Sequence, residues 1–202
     1  MITRWLEGVS CIDNFPDPEV ELYFLNRGCW RRICGVGPHH HIRCTLLSQA
    51  FVNGAVHWFG CDKVAASDIS ILTFDMSSEV FCEMKLPTGL ENEWVVAHLA
   101  VSVLRESLCP CHFDSLVSKV SIWVMKEYGV VQSRTKLFTF DLGSDFGGIL
   151  GFRRNGDLLF LRKNRMFSIN LESQQVKDLR IRKSGKLKSL YVDTYMESLV
   201  FL

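Results

Sequence analysis

What this chain lacks narrows it first. It has no charge surplus: 23 Lys and Arg stand against 22 Asp and Glu, a formal net charge of +1. A nucleic-acid partner held by its phosphates needs basic residues in excess and gathered on one face, so nucleic acid is not an expected partner. No apolar run approaches the ~18–20 residues of a membrane-spanning helix, and a membrane is not an expected partner either. With only five prolines in 202 residues, Pro-rich linkers are absent, as are low-complexity tracts. The opening stretch MITRWLEGVSCIDNF has Glu7 and Asp13 where a secretory leader carries its apolar run. The expected location is therefore the cytoplasm or the nucleus, where the eight cysteines stay reduced. Most of them sit among apolar neighbours, such as Cys82 after Phe81 and Cys29 before Trp30, and are read as small buried hydrophobes.

Sustained helical spacing is missing too. Even the stretch from Glu91 to Leu104, the nearest candidate, suits a pair of strands equally well. What is present instead is a series of short runs rich in β-branched and aromatic residues, bounded by Gly, Asn, Asp and Ser. Val20–Phe24, Ile69–Phe74, Val120–Val124, Leu158–Leu161 and Met166–Ile169 are the clearest. The runs recur. In YFLNRGCWRRI, FDMSSEVFCEM and INLESQQVKDL an apolar residue is followed, seven positions later, by another: Tyr23 and Trp30, Phe74 and Phe81, Ile169 and Val176. A third apolar residue closes each copy at Ile33, Met84 and Leu179. A fourth copy starts at Val124, so the register residues Tyr23, Phe74, Val124 and Ile169 are spaced by 51, 50 and 45.

Between these copies, FVNGAVHWF, LRESLCPC, RRNGDLLFL and MESLVFL repeat a turn followed by an apolar strand. Asn53-Gly54 and Asn155-Gly156 are signals for a type I′ hairpin, because both residue types accept positive φ. The unit is then about four strands in a period typical of propeller blades. One such sheet cannot cover both of its faces alone, and radial stacking covers each with a neighbour. The expected fold is an all-β, propeller-like array of four-stranded blades, roughly three and a half of them at this period. Either the blades close in an unusual way or the chain is a segment of a longer protein. Residues 1–19 are expected to be a lead-in, a remnant of a preceding blade, and 20–202 the propeller-like domain.

The phrases VELYFLNRGCWRRI, AFVNGAVHWFG, ISILTFDMSSEVFCEMKLP, VSIWVMKEYGVVQSRTKLFTF, ILGFRRNGDLLFL and YVDTYMESLVFL, taken in order, resemble the F-box-associated domain of plant F-box proteins. The resemblance implies a kelch-like or propeller-like recognition module that holds a target protein for ubiquitination by a cullin-type ligase. It implies the Skp adaptor and the cullin as partners only where an F-box lies upstream. No counterpart of the helical F-box precedes residue 20, so the chain as it stands is expected to hold a target without delivering it. Arg134 departs from the family pattern, which commonly has tryptophan there. The other readings are a truncated F-box-like product without ligase docking, and a propeller carbohydrate-binding module or enzyme.

Residues that suggest chemistry resolve into scaffold. His57 and Trp58 are adjacent on a strand, so they point to opposite faces and form no joint site. Val56 and Trp58 are expected to pack between blades, with His57 facing away. Cys34, His39, His40, His41 and Cys44 are of zinc-ligating type, but their spacing matches no knuckle. Cys109-Pro110-Cys111-His112 lacks redox spacing. Gly143–Gly148 lacks the Lys-Ser/Thr ending of a phosphate loop. Glu91 and Glu93 are a solvated pair, and Arg180–Lys188 is a basic loop between strands. No catalytic, cofactor or metal residue is expected, and the chain is not expected to be an enzyme. Target contacts are expected from loops 34–49, 60–68, 86–95, 110–118 and 126–134 at one propeller face, without a single residue being singled out.

Overall fold

Strand-forming runs joined by short turns pair with their neighbours in sequence, and the chain folds as a row of antiparallel meanders. The structure, a computed structural model, describes residues 2–5, 20–33, 40–42, 49–62, 69–86, 98–114, 116–143, 145–183 and 192. The first sheet contains β1 (Ile2–Trp5), β2 (Val20–Phe24) and β3 (Cys29–Ile33), in that order. The second contains β4 (His40–Ile42), β5 (Ala50–Val52), β6 (Ala55–Asp62), β7 (Ile69–Asp75) and β8 (Val80–Lys85). Here β4 and β5 pair with opposite ends of β6, so together they occupy one strand position. The third sheet runs β9 (His98–Leu104), β10 (Ser107–Asp114), β11 (Lys119–Met125), β12 (Arg134–Asp141). The fourth runs β13 (Phe146–Phe152), β14 (Leu158–Arg162), β15 (Arg165–Ile169), β16 (Val176–Arg182).

The seven-residue pairs of the sequence are the cross-strand pairs of the sheets. Tyr23 lies opposite Trp30, Phe74 opposite Phe81 and Ile169 opposite Val176. The first two pairs bring rings to 5.1 and 4.7 Å between centroids, where aromatic pairs add about 0.5–1.5 kcal/mol beyond burial. The Val124 copy behaves differently. Val124 lies opposite Thr135, because a longer loop and a register shift after Ile122 intervene.

Three apolar cores fill the gaps between the four sheets. Leu22 meets Val56, Trp58 and Phe74 between the first and second sheets. Phe59, Ile69 and Ile71 meet Leu99, Leu108, Trp123 and Met125 between the second and third. Cys111, Phe113 and Ile122 meet Phe146, Leu158 and Phe160 between the third and fourth. Strand alternation makes this work: Val56 and Trp58 fill one gap, Phe59 the next. β9 and β13 lie side by side, and a Cβ on Gly151 would meet the Ser102 side-chain Oγ at 3.4 Å. The fold is thus an all-β array of propeller-type blades, as the repeat implies.

Two local expectations change. Asn53 and Gly54 both take positive φ, 50° and 74°, as a type I′ hairpin requires. At the second Asn-Gly pair only Gly156 does, at 88°. The turn 153–157 is longer, held by Gly156 N–H to Arg153 O (2.9 Å) and Arg153 N–H to Asp157 O (2.8 Å). The basic run 180–188 is not wholly a loop either, since Arg180–Arg182 end β16. Residues 184–188 lie outside the described residues.

Arg134 has a visible consequence. It opens β12 opposite Met125, whose side chain belongs to the core between the second and third sheets. Its guanidinium nitrogens are buried and make no hydrogen bond among the described residues, and burial pushes its pKa down to about 10. A buried donor without an acceptor costs about 1–3 kcal/mol. Arg134→Met is therefore expected to raise stability by about 1–3 kcal/mol, read from urea unfolding midpoints at unchanged slope. A loss of stability would show that the guanidinium is satisfied.

Candidate functional site: the turn rim

Strand directions sort the connections onto two rims. The turns 25–28, 53–54, 76–79, 105–106, 126–133, 153–157 and 170–175 all open on one rim, the turn rim. The connections 115–118, 142–145 and 163–164 open on the other. The expected binding loops therefore do not share one face. Loop 126–134 lies on the turn rim, whereas 110–118 belongs to the opposite one. In the latter only 115–118 connects strands, because Ser107–Asp114 is β10. Of the remaining expected loops, 34–39, 43–48, 63–68 and 87–95 lie outside the described residues.

Exposed apolar side chains gather on the turn rim. Leu25, Phe51, Val80, Tyr128, Val130 and Val176 lie in or beside its turns, and Phe51 is 61% exposed. On the opposite rim, among the described residues, Leu116 and Val117 are exposed at the β10–β11 turn. Exposed aromatic and apolar residues on a rigid rim suit a protein partner better than solvent.

The rim is stiffened from below. His57, read as facing away from the blade packing, instead faces the third sheet and is wholly buried. Its Nδ1 donates to Ala50 O at 3.1 Å, which leaves Nε2 to accept from the Tyr128 hydroxyl at 2.9 Å. Tyr128 lies in loop 126–133, so a bond across 71 residues ties β6 to the rim of the next sheet. The loop also braces itself. Ser133 Oγ accepts from Glu127 N–H (2.9 Å) and lies 2.7 Å from Val130 O. Neither sequence position signals this contact alone; the pairing of a histidine in NGAVHW with a tyrosine in MKEYGV is invisible until the sheets stack.

The other candidates separate. Trp58 packs between the first and second sheets. His40 and His41 lie on β4, and Cys34, His39 and Cys44 fall outside the described residues. Among the described residues no group of three or more His, Cys, Asp or Glu side chains could hold a metal ion. Cys109 and Cys111 are buried and free, whereas Cys29 and Cys82, read as buried hydrophobes, are exposed on β3 and β8. Burial pushes the Cys109 thiol up to about 12 and the Cys111 thiol well above its usual range, so neither presents a thiolate. Gly147 and Gly148 belong to β13, with no helix following. Glu91 and Glu93 lie outside the described residues.

Four meandering sheets stacked face to face, with inner strands close together, define a propeller-type domain. The sequence matches the F-box associated beta propeller domain over residues 4–202, and the chain belongs to that family. It is 25% identical to F-box protein CPR1 of Arabidopsis thaliana over 181 residues, 81% of this chain and 43% of that protein. It is 29% identical to a putative F-box/kelch-repeat protein of the same plant over 122 residues, 56% of this chain and 31% of that one. The chain thus spans less than half the length of these curated relatives. A structural genomics protein of unknown function from Bacteroides thetaiotaomicron shares the fold, with a TM-score of 0.51, 13% identity, and 80% of this chain and 38% of that one covered.

His57 makes the rim's support pH-dependent. Burial holds its pKa below the ordinary 6.5, against the raising effect of bonds to the Ala50 and Ala55 backbone. The unfolded chain therefore binds this proton more readily than the folded one, and stability rises with pH through that window. Its contribution is complete above pH 6.5 and declines as the pH falls below it. His57→Gln is expected to flatten this part of the stability–pH profile. An unchanged slope would place the titration elsewhere.

Proposed function

We propose that this chain is the target-recognition part of an F-box protein. It binds a partner protein through the turn rim and, joined to an F-box, presents it to a Skp–cullin ligase for ubiquitination. The observation that supports this is the family match along nearly the whole chain, set beside a braced rim that carries exposed Phe51, Tyr128 and Val130. Its work is binding rather than catalysis, through a surface of aromatic and apolar anchors such as those that dominate protein interfaces. It acts in the cytoplasm or nucleus, where buried thiols such as Cys109 and Cys111 stay reduced.

The test fuses an F-box segment to the chain and identifies proteins that co-purify with it and the Skp adaptor. At least one specific partner is expected, with capture reduced at least about tenfold by Phe51→Asp combined with Val130→Asp, a loss typical of removed hot spots. Leu116→Asp on the opposite rim is expected to leave capture unchanged. Recovery of no specific partner, or of the same partners regardless of the rim, would overturn the proposal.

A further inference from the structure

A groove opens on the turn rim between the third and fourth sheets, with a volume of about 430 Å³, within the range of about 300–1,000 Å³ for ligand sites. Leu104, Val124, Leu137, Phe138 and Leu171 supply apolar lining. Arg105 stands on the third-sheet side, from the β9–β10 turn, and Glu172 on the fourth-sheet side, from the β15–β16 turn. Neither side chain has an ion-pair or hydrogen-bond partner among the described residues.

Comparison between sheets shows that Arg105 is not demanded by its turn. The corresponding two-residue turn of the second sheet carries Asn53-Gly54, with Asn53 at φ +50° where Arg105 stands in the third. The third sheet has Arg105-Glu106 instead, and Arg105 takes φ +59°. A charged residue thus occupies a position where the scaffold favours Asn or Gly. The facing wall is preset. Asn170 Nδ2 donates to Asp157 Oδ1 at 3.0 Å, and Asn155 Nδ2 to Asp157 Oδ2 at 2.9 Å. Asn170 Oδ1 accepts from Glu172 N–H at 3.2 Å, which fixes the backbone that carries the free carboxylate.

We infer that this groove binds an extended peptide segment of a partner protein that crosses it from the third-sheet wall to the fourth-sheet wall, with apolar side chains at its centre, an acidic residue beside Arg105 and a basic residue beside Glu172. The inference rests on the target-recognition reading and specifies where and what the rim reads. Charge complementarity at two separate walls sets the peptide's polarity, and the apolar lining takes its anchor. An anionic small molecule or nucleic acid would leave Glu172 facing like charge.

The test uses synthetic extended hexapeptides with two central apolar residues and ends that are acidic–basic, acidic–acidic, basic–basic or uncharged, each in both chain orders. Binding to the chain is read by fluorescence polarisation. The acidic–basic peptides are expected to bind at least tenfold more tightly than the others. Arg105→Glu should shift preference to basic–basic peptides and Glu172→Arg to acidic–acidic ones. Arg105→Gln and Glu172→Gln, which add no opposing charge, should each abolish discrimination at one end, so the result stands even if a reversal disturbs folding. Equal binding of all four charge classes, or an unaltered preference in these variants, overturns the groove. Should a target captured by the F-box fusion be retained by the groove variants, the groove falls while target recognition stands. Should the peptides sort by charge while the fusion captures nothing, the reverse holds.

Discussion

The second and third sheets each have two apolar faces, and the stacking of the four sheets follows from the need to cover both. In β6, Val56 and Trp58 point toward the first sheet, while His57 and Phe59 point toward the third. In β11, Val120 and Ile122 point toward the fourth sheet, while Trp123 and Met125 point toward the second. A lone sheet with such strands would leave both faces in water, at roughly 25 cal/mol for each Å² of apolar surface. Stacking removes that penalty and makes each blade depend on its neighbours. It also explains why ISILTFD reads as a nearly continuous buried run rather than an alternating one.

The same constraint divides the molecule into parts held by packing and parts that are not. Side chains in the gaps are fixed by packing, so chemistry is free to vary only at the turns. The outer strand β16 shows how an edge is handled. Its register jumps between Asp178 and Ile181, with Arg180 at φ +59°, a bulge that interrupts a flat pairing surface. On the turn rim the stiffness of the sheets passes to the loops. His57 anchors Tyr128 from below, Ser133 closes loop 126–133, and Asn170 with Asp157 sets the fourth-sheet wall. A surface prepared in this way loses little freedom on binding, which favours affinity without a large contact area.

Much of the scaffold was legible in the sequence because its period is enforced by pairing. Tyr23 and Trp30, or Phe74 and Phe81, are seven apart since a short turn puts them opposite each other. Asn53-Gly54 was legible because few residue types accept its backbone. Asn155-Gly156 misled, since the same dipeptide sits in a longer turn whose geometry Arg153 and Asp157 set. The rim was the part that local pattern could not supply. Whether a loop opens up or down depends on strand direction, so 126–134 and 110–118, alike as loop sequences, lie on opposite rims. The His57–Tyr128 bond and the free Arg105 and Glu172 emerge only from stacking, which brings distant turns side by side.

The central claim is that adjacent sheets are held together by direct side-chain packing across the gaps. Phe113 of β10 and Phe146 of β13 test it most directly, with ring centroids 4.2 Å apart between the third and fourth sheets. A double-mutant cycle of Phe113→Leu and Phe146→Leu, read by chemical unfolding, isolates the interaction between them. The account predicts a coupling of about 0.5 kcal/mol or more, as expected for side chains in contact. Strictly additive effects would contradict it, since they would mean that the two sheets stand apart.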